Sequence, residues 1–403
     1  VNPPSDLRAA FEDVLSDVPT GRLAQEVERL IANYRGDTPT DQPILRGGLD
    51  VVAYAAYRMP ATYAAVRFAL GQLQRSAADW APATHVDVGG GTGAASWAVA
   101  DAWPGLHRQT VLDWSEPALE LGRRLARSAD RPALRGASWQ RRVIGPGLSL
   151  PDADLVTVSY VLGELTAAGR EAVVAEAAAR GRVVLVVEPG TPAGYERVRE
   201  ARDRLLAAGL TVLAPCPHDG ACPIVAGRDW CHFAVRVNRS AVHRQLKGAS
   251  LSYEDEKFSY VAACRTPVPA RAAADAAPAA DASTAPAAGP AGRVLRHPTI
   301  RKGMVGLRLC TAEEGIRPVN VTKRHGQLYR EARDLAWGEC WPPVGGVPVE
   351  GVPVEGVPED AAGRAGDTGT LGRLGETRPV GETGRVGGGG ATPTVPGQRG
   401  PAD

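Results

Sequence analysis

The stretch His85-Val86-Asp87-Val88-Gly89-Gly90-Gly91-Thr92-Gly93 constrains this chain more than any other. It reads as a short buried strand that runs into a glycine-rich turn and then into a helix from about Ala94 to Ala102. Glycines allow the sharp turn and let a ligand approach the main chain, while the start of the helix offers unpaired N–H groups. The pattern is D-x-G-x-G-x-G, a different register from the G-x-G-x-x-G of dinucleotide-binding folds. A second strand, Thr110-Val111-Leu112-Asp113, ends in an acid 20 residues beyond Gly93. At that distance a carboxylate reaches a nucleoside ribose in doubly wound folds. The plainer alternative for Asp113 is a helix N-cap or a surface acid.

From 84 to about 265 strands and helices alternate, which predicts a doubly wound α/β sheet. Helices are expected at Pro117 to Ala129 and Pro192 to Ala208. A short strand is expected at Ala137 to Val143 and stronger ones at Asp154 to Tyr160 and Arg182 to Glu188. The last of these is apolar enough for a central parallel strand. Leu210 to Leu213 starts a further strand, and Phe258 to Cys264 is expected to close the sheet. Before the sheet, residues 1–78 read as a helical domain. Leu7, Ala10, Phe11, Val14 and Leu15 form one apolar stripe behind Ser5 as N-cap, and Leu23, Val27, Leu30, Ile31 and Tyr34 form another. A third helical region, Asp50 to Leu73, is expected to break at Pro60. The phrase Tyr57 to Tyr63 is distinctive but carries no chemistry by itself.

The chain has 403 residues and a net charge of +1, so affinity for nucleic acid has to come from local patches. No apolar run approaches the length that spans a bilayer, so no membrane partner is expected. The acids Asp6, Glu12, Asp13 and Asp17 argue against a signal or transit peptide. These features predict a cytoplasmic protein, in which the six cysteines are metal ligands or free thiols and not disulfides.

Three of the six lie within 16 residues, Cys216, Cys222 and Cys231, at spacings C-x5-C and C-x8-C. The surrounding Pro, Gly and Asp make the region an insertion in the sheet domain, at 214–250, and not a core. The spacing is not that of a zinc ribbon. A fourth ligand could come from Cys310, Cys264, Cys340, His218 or His232. Within and just after this insertion, Arg236, Arg239, Arg244 and Lys247 crowd together, with His243 and Tyr253 near enough to stack on bases. They form a candidate RNA-binding patch, the alternative being a solvated basic face.

The sheet domain is expected to span 79–266. Residues 267–292 are mostly Ala, Pro, Asp and Gly and read as a disordered linker. The segment 293–340 carries ten Lys or Arg against five acids. Strands are expected at Gly303 to Cys310 and Ile316 to Arg324, and a helix at Gln327 to Trp337. The segment is too short to build its own core and is expected to dock on the sheet. From 341 to 403 the chain is low in complexity, and disorder is expected.

Several phrases together resemble one family. They are Glu188 to Pro192, Ala214 to Gly220, Trp230 to Phe233, His243 to Gly248, Tyr253 to Tyr260, Tyr57 to Tyr63 and Val321 to Arg324. The family is the methyltransferase-like group of small-ribosomal-subunit assembly proteins of mitochondria and bacteria, and the resemblance covers roughly 45 to 340. It implies a class I S-adenosylmethionine (SAM) methyltransferase fold of Rossmann type, with SAM held by Asp87, Gly89, Gly91, Gly93, Asp113 and Ser159. It implies a [4Fe–4S] cluster on Cys216, Cys222, Cys231 and Cys310, with zinc as the alternative. It also implies that the partners are the small-subunit precursor and its ribosomal RNA, with the protein a monomer off the ribosome.

Methyl transfer is a separate question. SAM is already activated, so such an enzyme mainly positions a nucleophile and sometimes removes a proton. After the Asp154 strand, Ser159-Tyr160-Val161-Leu162 stands where an N-P-P-Y-type motif would. No catalytic residue is assigned. An assembly factor that uses SAM and the cluster as scaffolds is therefore favoured over an active ribosomal RNA methyltransferase. A zinc-containing methyltransferase acting on a small molecule is the third reading.

Overall fold

β5 (Gly181–Pro189) shows how the sheet is covered on both faces. Val183, Leu185 and Val187 enter one apolar core, and Val184 and Val186 enter a second on the opposite face. This period-2 division of a nearly all-apolar strand is what a central strand requires. The computed structural model describes most of residues 2–29 and residues 47–239, 251–265 and 292–342, all within one unit, Val1–Glu359. The expected linker, apart from Gly292, and the low-complexity tail beyond 342 lie outside the described residues, as do Leu30, Ile31, Tyr34, His243, Arg244 and Lys247.

The other strands of this sheet are β1 (Thr84–Val88), β2 (Arg108–Asp113), β3 (Ser138–Arg141), β4 (Ala153–Ser159), β6 (Thr211–Ala214), β7 (Phe233–Asn238) and β8 (Tyr253–Cys264). Their order is β3-β2-β1-β4-β5-β8-β6, and β7 also pairs with β8. β1 to β5 run parallel, whereas β8 is antiparallel to β5, β6 and β7. The expected doubly wound Rossmann-like sheet is thus present. The last strand does not close it at the edge, however. β8 slots between β5 and β6, and its first half forms a hairpin with β7. β7 was not expected, because the cysteine-rich insertion reads as loop. Its alternation is clear once seen, with Phe233, Val235 and Val237 buried and Arg236 and Asn238 exposed.

The helices are α1 (Ser5–Ser16), α2 (Gly48–Ser76), α3 (Ala94–Ala102), α4 (Glu116–Ala126), the one-turn α5 (Pro132–Arg135), α6 (Ala167–Arg180) and α7 (Pro192–Ala207). α1 to α5 cover one face of the sheet, and α6 and α7 the other. The expected break at Pro60 does not occur, and α2 runs through it for 29 residues. An internal proline costs about 3 kcal/mol. Burial of Tyr57, Met59 and Tyr63 beside it, at about 1.5–3 kcal/mol per large apolar side chain, outweighs that cost.

The C-terminal segment forms a second, five-stranded sheet of β9 (Gly292–Val294), β10 (Thr299–Arg301), β11 (Met304–Thr311), β12 (Gly315–Thr322) and β13 (Cys340–Trp341), with α8 (Gln327–Asp334) packed on β11 and β12. It corrects the expectation of a segment without a core. Val294, Val305, Leu307, Leu309, Val319, Val321, Ala332 and Trp341 bury against one another. The antiparallel pairing of β9 with both β11 and β13 brings these residues together, and the short strands β9, β10 and β13 carry no periodicity of their own. The expected helix to Trp337 stops at Asp334.

Candidate functional site

Strand order reverses between β1 and β4, so the loops after their carboxyl ends diverge and leave a crevice. The glycine loop follows β1 on one side of it, and Tyr160 follows β4 on the other. The loop is tied to the end of β2, where Gly89 and Gly90 donate their N–H groups to Leu112 O at 2.8 and 3.1 Å. Gly91 N donates to Asp113 Oδ2 at 2.9 Å, and Ser115 N donates to Asp113 Oδ1 at 2.8 Å. A two-oxygen carboxylate so held keeps lone pairs free for a ribose. Gly89 has φ +66°, and a Cβ there would stand 2.0 Å from Val161 Cγ2. At Gly91 the nearest atom to an added Cβ is Asp113 Oδ2 at 3.7 Å, so the loop leaves room beside that carboxylate. A Cβ on Gly93 would meet the Trp139 ring at 2.7 Å.

Asp87 is fully buried under the loop. It accepts from Ser96 N and Oγ at 3.2 and 2.9 Å and from Thr157 Oγ1 at 2.8 Å, joining β1 to α3 and β4. Burial still pushes its carboxyl up to about 6. Burial raises Asp113 as well. Ser159 is buried at the end of β4. The six residues expected to hold SAM therefore lie around one crevice or directly beneath it.

Four further residues near that crevice, Trp114, Glu164, Tyr160 and Glu256, were not among the expected site residues. Trp114 is 42% exposed next to Asp113. Glu164 is exposed at its surface, and the protein around it, with the charges of Asp113 and Glu188, pushes its carboxyl up to about 7. Tyr160 has a left-handed backbone, φ +59°, rare for a residue with a side chain. Its hydroxyl donates to Glu256 Oε1 at 2.8 Å, and Glu256 also accepts from Arg58 Nη2 at 2.9 Å and Nη1 at 3.3 Å. Arg58 belongs to the Tyr57–Tyr63 phrase, so one role of that phrase is to tie α2 to β4 and β8. Spacing could not have shown this, because the partners are 198 residues apart.

The second constellation lies between the two sheets. Cys216, Cys222, Cys231 and Cys310 all line one cavity of about 40 Å³, together with Arg202, Tyr260 and Arg293. Arg202 Nη2 holds the Cys216–Cys222 loop by donating to His218 O and Gly220 O at 3.1 and 2.6 Å. Asp219 Oδ1 fastens it to β6 by accepting from Val212 N at 2.8 Å. Ser259 Oγ donates to Cys231 O at 2.7 Å. Cys310 enters from β11, its Sγ 3.8 Å from His218 Nε2. Burial, reinforced by the other cysteines, holds Cys231 well above the usual thiol range and pushes Cys310 up to about 12. Among the described residues, no three His, Cys, Asp or Glu side chains converge closely enough to hold a metal ion. The thiols surround a space instead of meeting at a point. Of the other candidates, Cys264 is buried in the main core and Cys340 sits on β13.

The basic patch is largely paired where it is described. Arg236 forms an ion pair with Asp255 at 2.9 Å and lies 4.1 Å over the Tyr253 ring, and Arg239 pairs with Glu254 at 3.0 Å. Arg244 and Lys247 lie outside the described residues. Among those that are described, no helix is long and apolar enough to cross a membrane.

The pattern of the protein family described as "Mitochondrial small ribosomal subunit Rsm22" matches residues 48–342. The human protein "Ribosome assembly protein METTL17, mitochondrial" is 28% identical over 313 residues, 73% of this chain and 63% of that one. "Rsm22-cox11 tandem protein 2, mitochondrial" of Schizosaccharomyces pombe is 28% identical over 190 residues, 41% of this chain and 25% of that one. The chain therefore spans less than two thirds of the length of these curated relatives. Among solved structures, magnesium protoporphyrin IX methyltransferase from Synechocystis with bound SAM is similar at 12% identity and a TM-score of 0.34, over 66% of this chain and 100% of that one. The family and these relatives are described as mitochondrial, which overturns the cytoplasmic expectation. That expectation rested on a missing leader, and a chain that opens at Val1 says nothing about what precedes it.

Proposed function

Because this chain belongs to the family of the mitochondrial small ribosomal subunit protein Rsm22, we propose that it is an assembly factor of the small ribosomal subunit. In this reading it binds SAM in the β1–β4 crevice and a [4Fe–4S] cluster at the cysteine cavity, and it contacts the ribosomal RNA of the subunit precursor. SAM binding is supported by the loop from Gly89 to Gly93 lying beside Asp113, with room at Gly91. There Asp113 would accept the ribose hydroxyls, the loop would face the methionine part, and SAM would supply an activated methyl group.

The observation that carries the cluster is the lining of one cavity by three cysteines of the β6–β7 connection and one of β11. Thiols spread around a space suit a polynuclear cluster better than one zinc ion, whose bonds to sulfur of about 2.3 Å demand convergence on a point. Cys216, Cys222, Cys231 and Cys310 would hold it, and it would clip the C-terminal sheet to the main one.

A binding role is preferred to catalysis because the residue after β4 is already engaged. Tyr160 donates its hydroxyl to Glu256, which is itself paired with Arg58. A methylation map of small-subunit RNA, read beside the yield of mature subunits with and without this protein, tests the choice. The expected outcome is fewer mature subunits with no methylated nucleotide lost from those that form. Loss of a single methylated nucleotide, restored by the purified protein and SAM, would replace the scaffold with an enzyme.

A further inference from the structure

Three side chains that line the cysteine cavity each leave one buried polar atom without a partner. Arg293 is 1% exposed. Its Nε donates to Pro215 O at 2.7 Å, and its Nη1 donates to Gln72 Oε1 and Gly338 O at 2.7 and 2.9 Å, but its Nη2 has no partner. Each of those acceptors is neutral, and among the described residues no carboxylate pairs with this guanidinium. Arg202 is 3% exposed, and its Nε is likewise unpartnered. Its carboxylate partner is the exposed Asp203, at 3.2 Å, and its guanidinium also interacts with the Cys216 thiol. Tyr260 is 2% exposed, with a hydroxyl that has no partner.

Native interiors rarely leave a buried donor unmade, and a buried guanidinium without a counter-anion is strongly unfavourable. Arginine cannot escape by losing its proton. Arg293, which has no carboxylate partner among the described residues, and Arg202, whose carboxylate partner faces solvent, therefore call for negative charge within the cavity beside the four thiols. Neutral thiols would not supply it, and burial disfavours their ionisation unless a metal takes the sulfurs. An iron–sulfur cluster on four thiolates is net anionic and becomes more so when reduced.

We propose that Arg202, Arg293 and Tyr260 form a charge-compensating shell that favours a reducible four-thiolate iron–sulfur cluster and raises its reduction potential. The shell rests on the cluster reading above. Potentials of such clusters follow net charge and hydrogen bonds to the sulfurs, so these residues act by position and not by ligation. The reaction at issue is entry of one electron from an electrode or dithionite. The arginines stay protonated throughout, so they require no proton to move.

The test uses the full chain purified without oxygen. Iron and sulfide are assayed, and the cluster is titrated spectroelectrochemically in the wild type, Arg293→Met, Arg202→Met, Tyr260→Phe and Arg301→Met. Arg301 is exposed on β10 and serves as a surface-charge control. Arg293→Met and Arg202→Met are each expected to disfavour the reduced form about tenfold, a shift of about 59 mV to more negative potential. Tyr260→Phe is expected to shift it in the same direction by less, and Arg301→Met to leave it unchanged. If Arg293→Met does not fold, Arg202→Met and Tyr260→Phe decide. A full complement of iron and sulfide with wild-type potentials in the folded shell variants overturns the shell and leaves the cluster. A wild-type chain without iron and sulfide overturns both.

Discussion

The β1–β4 crevice and the cysteine cavity solve opposite electrostatic problems. Around the crevice the acids other than Glu164 are already served by the protein. Asp87 has three donors, Asp113 two backbone N–H groups, Glu188 the Arg197 guanidinium and Leu162 N, and Glu256 both Arg58 and Tyr160. Around the cavity, Arg202, Arg293 and Tyr260 keep donors without partners, and the Cys231 and Cys310 thiols are held away from ionisation. A region whose hydrogen bonds are complete is preorganised and binds a ligand with little change of fold. A region that is incomplete makes its ligand part of the fold. The two should therefore fail differently.

The largest expected effect is at the cavity. Cys310→Ser should remove all iron and leave 293–342 sensitive to protease, while calorimetric SAM binding survives. The binding energy of a metal centre, of order 10 kcal/mol, is lost with it. Equal protease resistance in metal-free and metal-loaded chains would erase the contrast between the regions. Gly89→Ala should come next, because it forces a Cβ into Val161 at a left-handed backbone. About 2–4 kcal/mol of stability should disappear from a denaturant titration, with SAM binding lost and iron content kept. A variant as stable as the wild type would mean that the loop is not held as described.

Asp113→Ala should weaken SAM binding by roughly tenfold to a hundredfold, the worth of a charge-assisted hydrogen bond of about 1.5–3 kcal/mol, and leave the cluster spectrum untouched. Unchanged affinity would remove Asp113 from the site. The smallest effect is a pH dependence. The carboxyl of Glu164 is raised to about 7, so the unfolded chain ionises first. Its favourable contribution to stability is full below about 4.5 and is lost as pH rises through about 7. A cationic ligand offsets that loss once Glu164 is ionised. The preference for SAM, with its sulfonium charge, over the uncharged thioether product should therefore grow about threefold from pH 6 to 8. A Glu164→Gln variant should show no such growth, and an equal pH response in the wild type and Glu164→Gln would exclude this carboxylate.

Much of the fold was readable because strands and helices bury faces at periods of 2 and 3.6. β5 announced itself by five apolar residues in an unbroken run, and the unit from His85 to Ala102 by its glycines. The edges of the reading failed where partners are distant. β7 becomes a strand by pairing with β8, β8 enters the middle of the sheet, and β9 and β13 are too short to show a pattern before they meet. Pro60 misled because a local rule was outweighed by burial on both sides of it.

The same division holds for the sites. By itself the sequence determined the candidates for chemistry: a glycine turn before an acid, and cysteines too clustered for chance. Only the tertiary structure decided what surrounds them. It brought Glu164 within electrostatic reach of Asp113, tied Tyr160 to an ion pair built from α2 and β8, and set Arg293 in one cavity with Cys216, 77 residues earlier. Local pattern specifies backbone shape and burial, which depend on neighbours in the chain. Charge compensation, burial of a guanidinium and the acidity of a carboxyl depend on neighbours in space, and those exist only once the chain has folded.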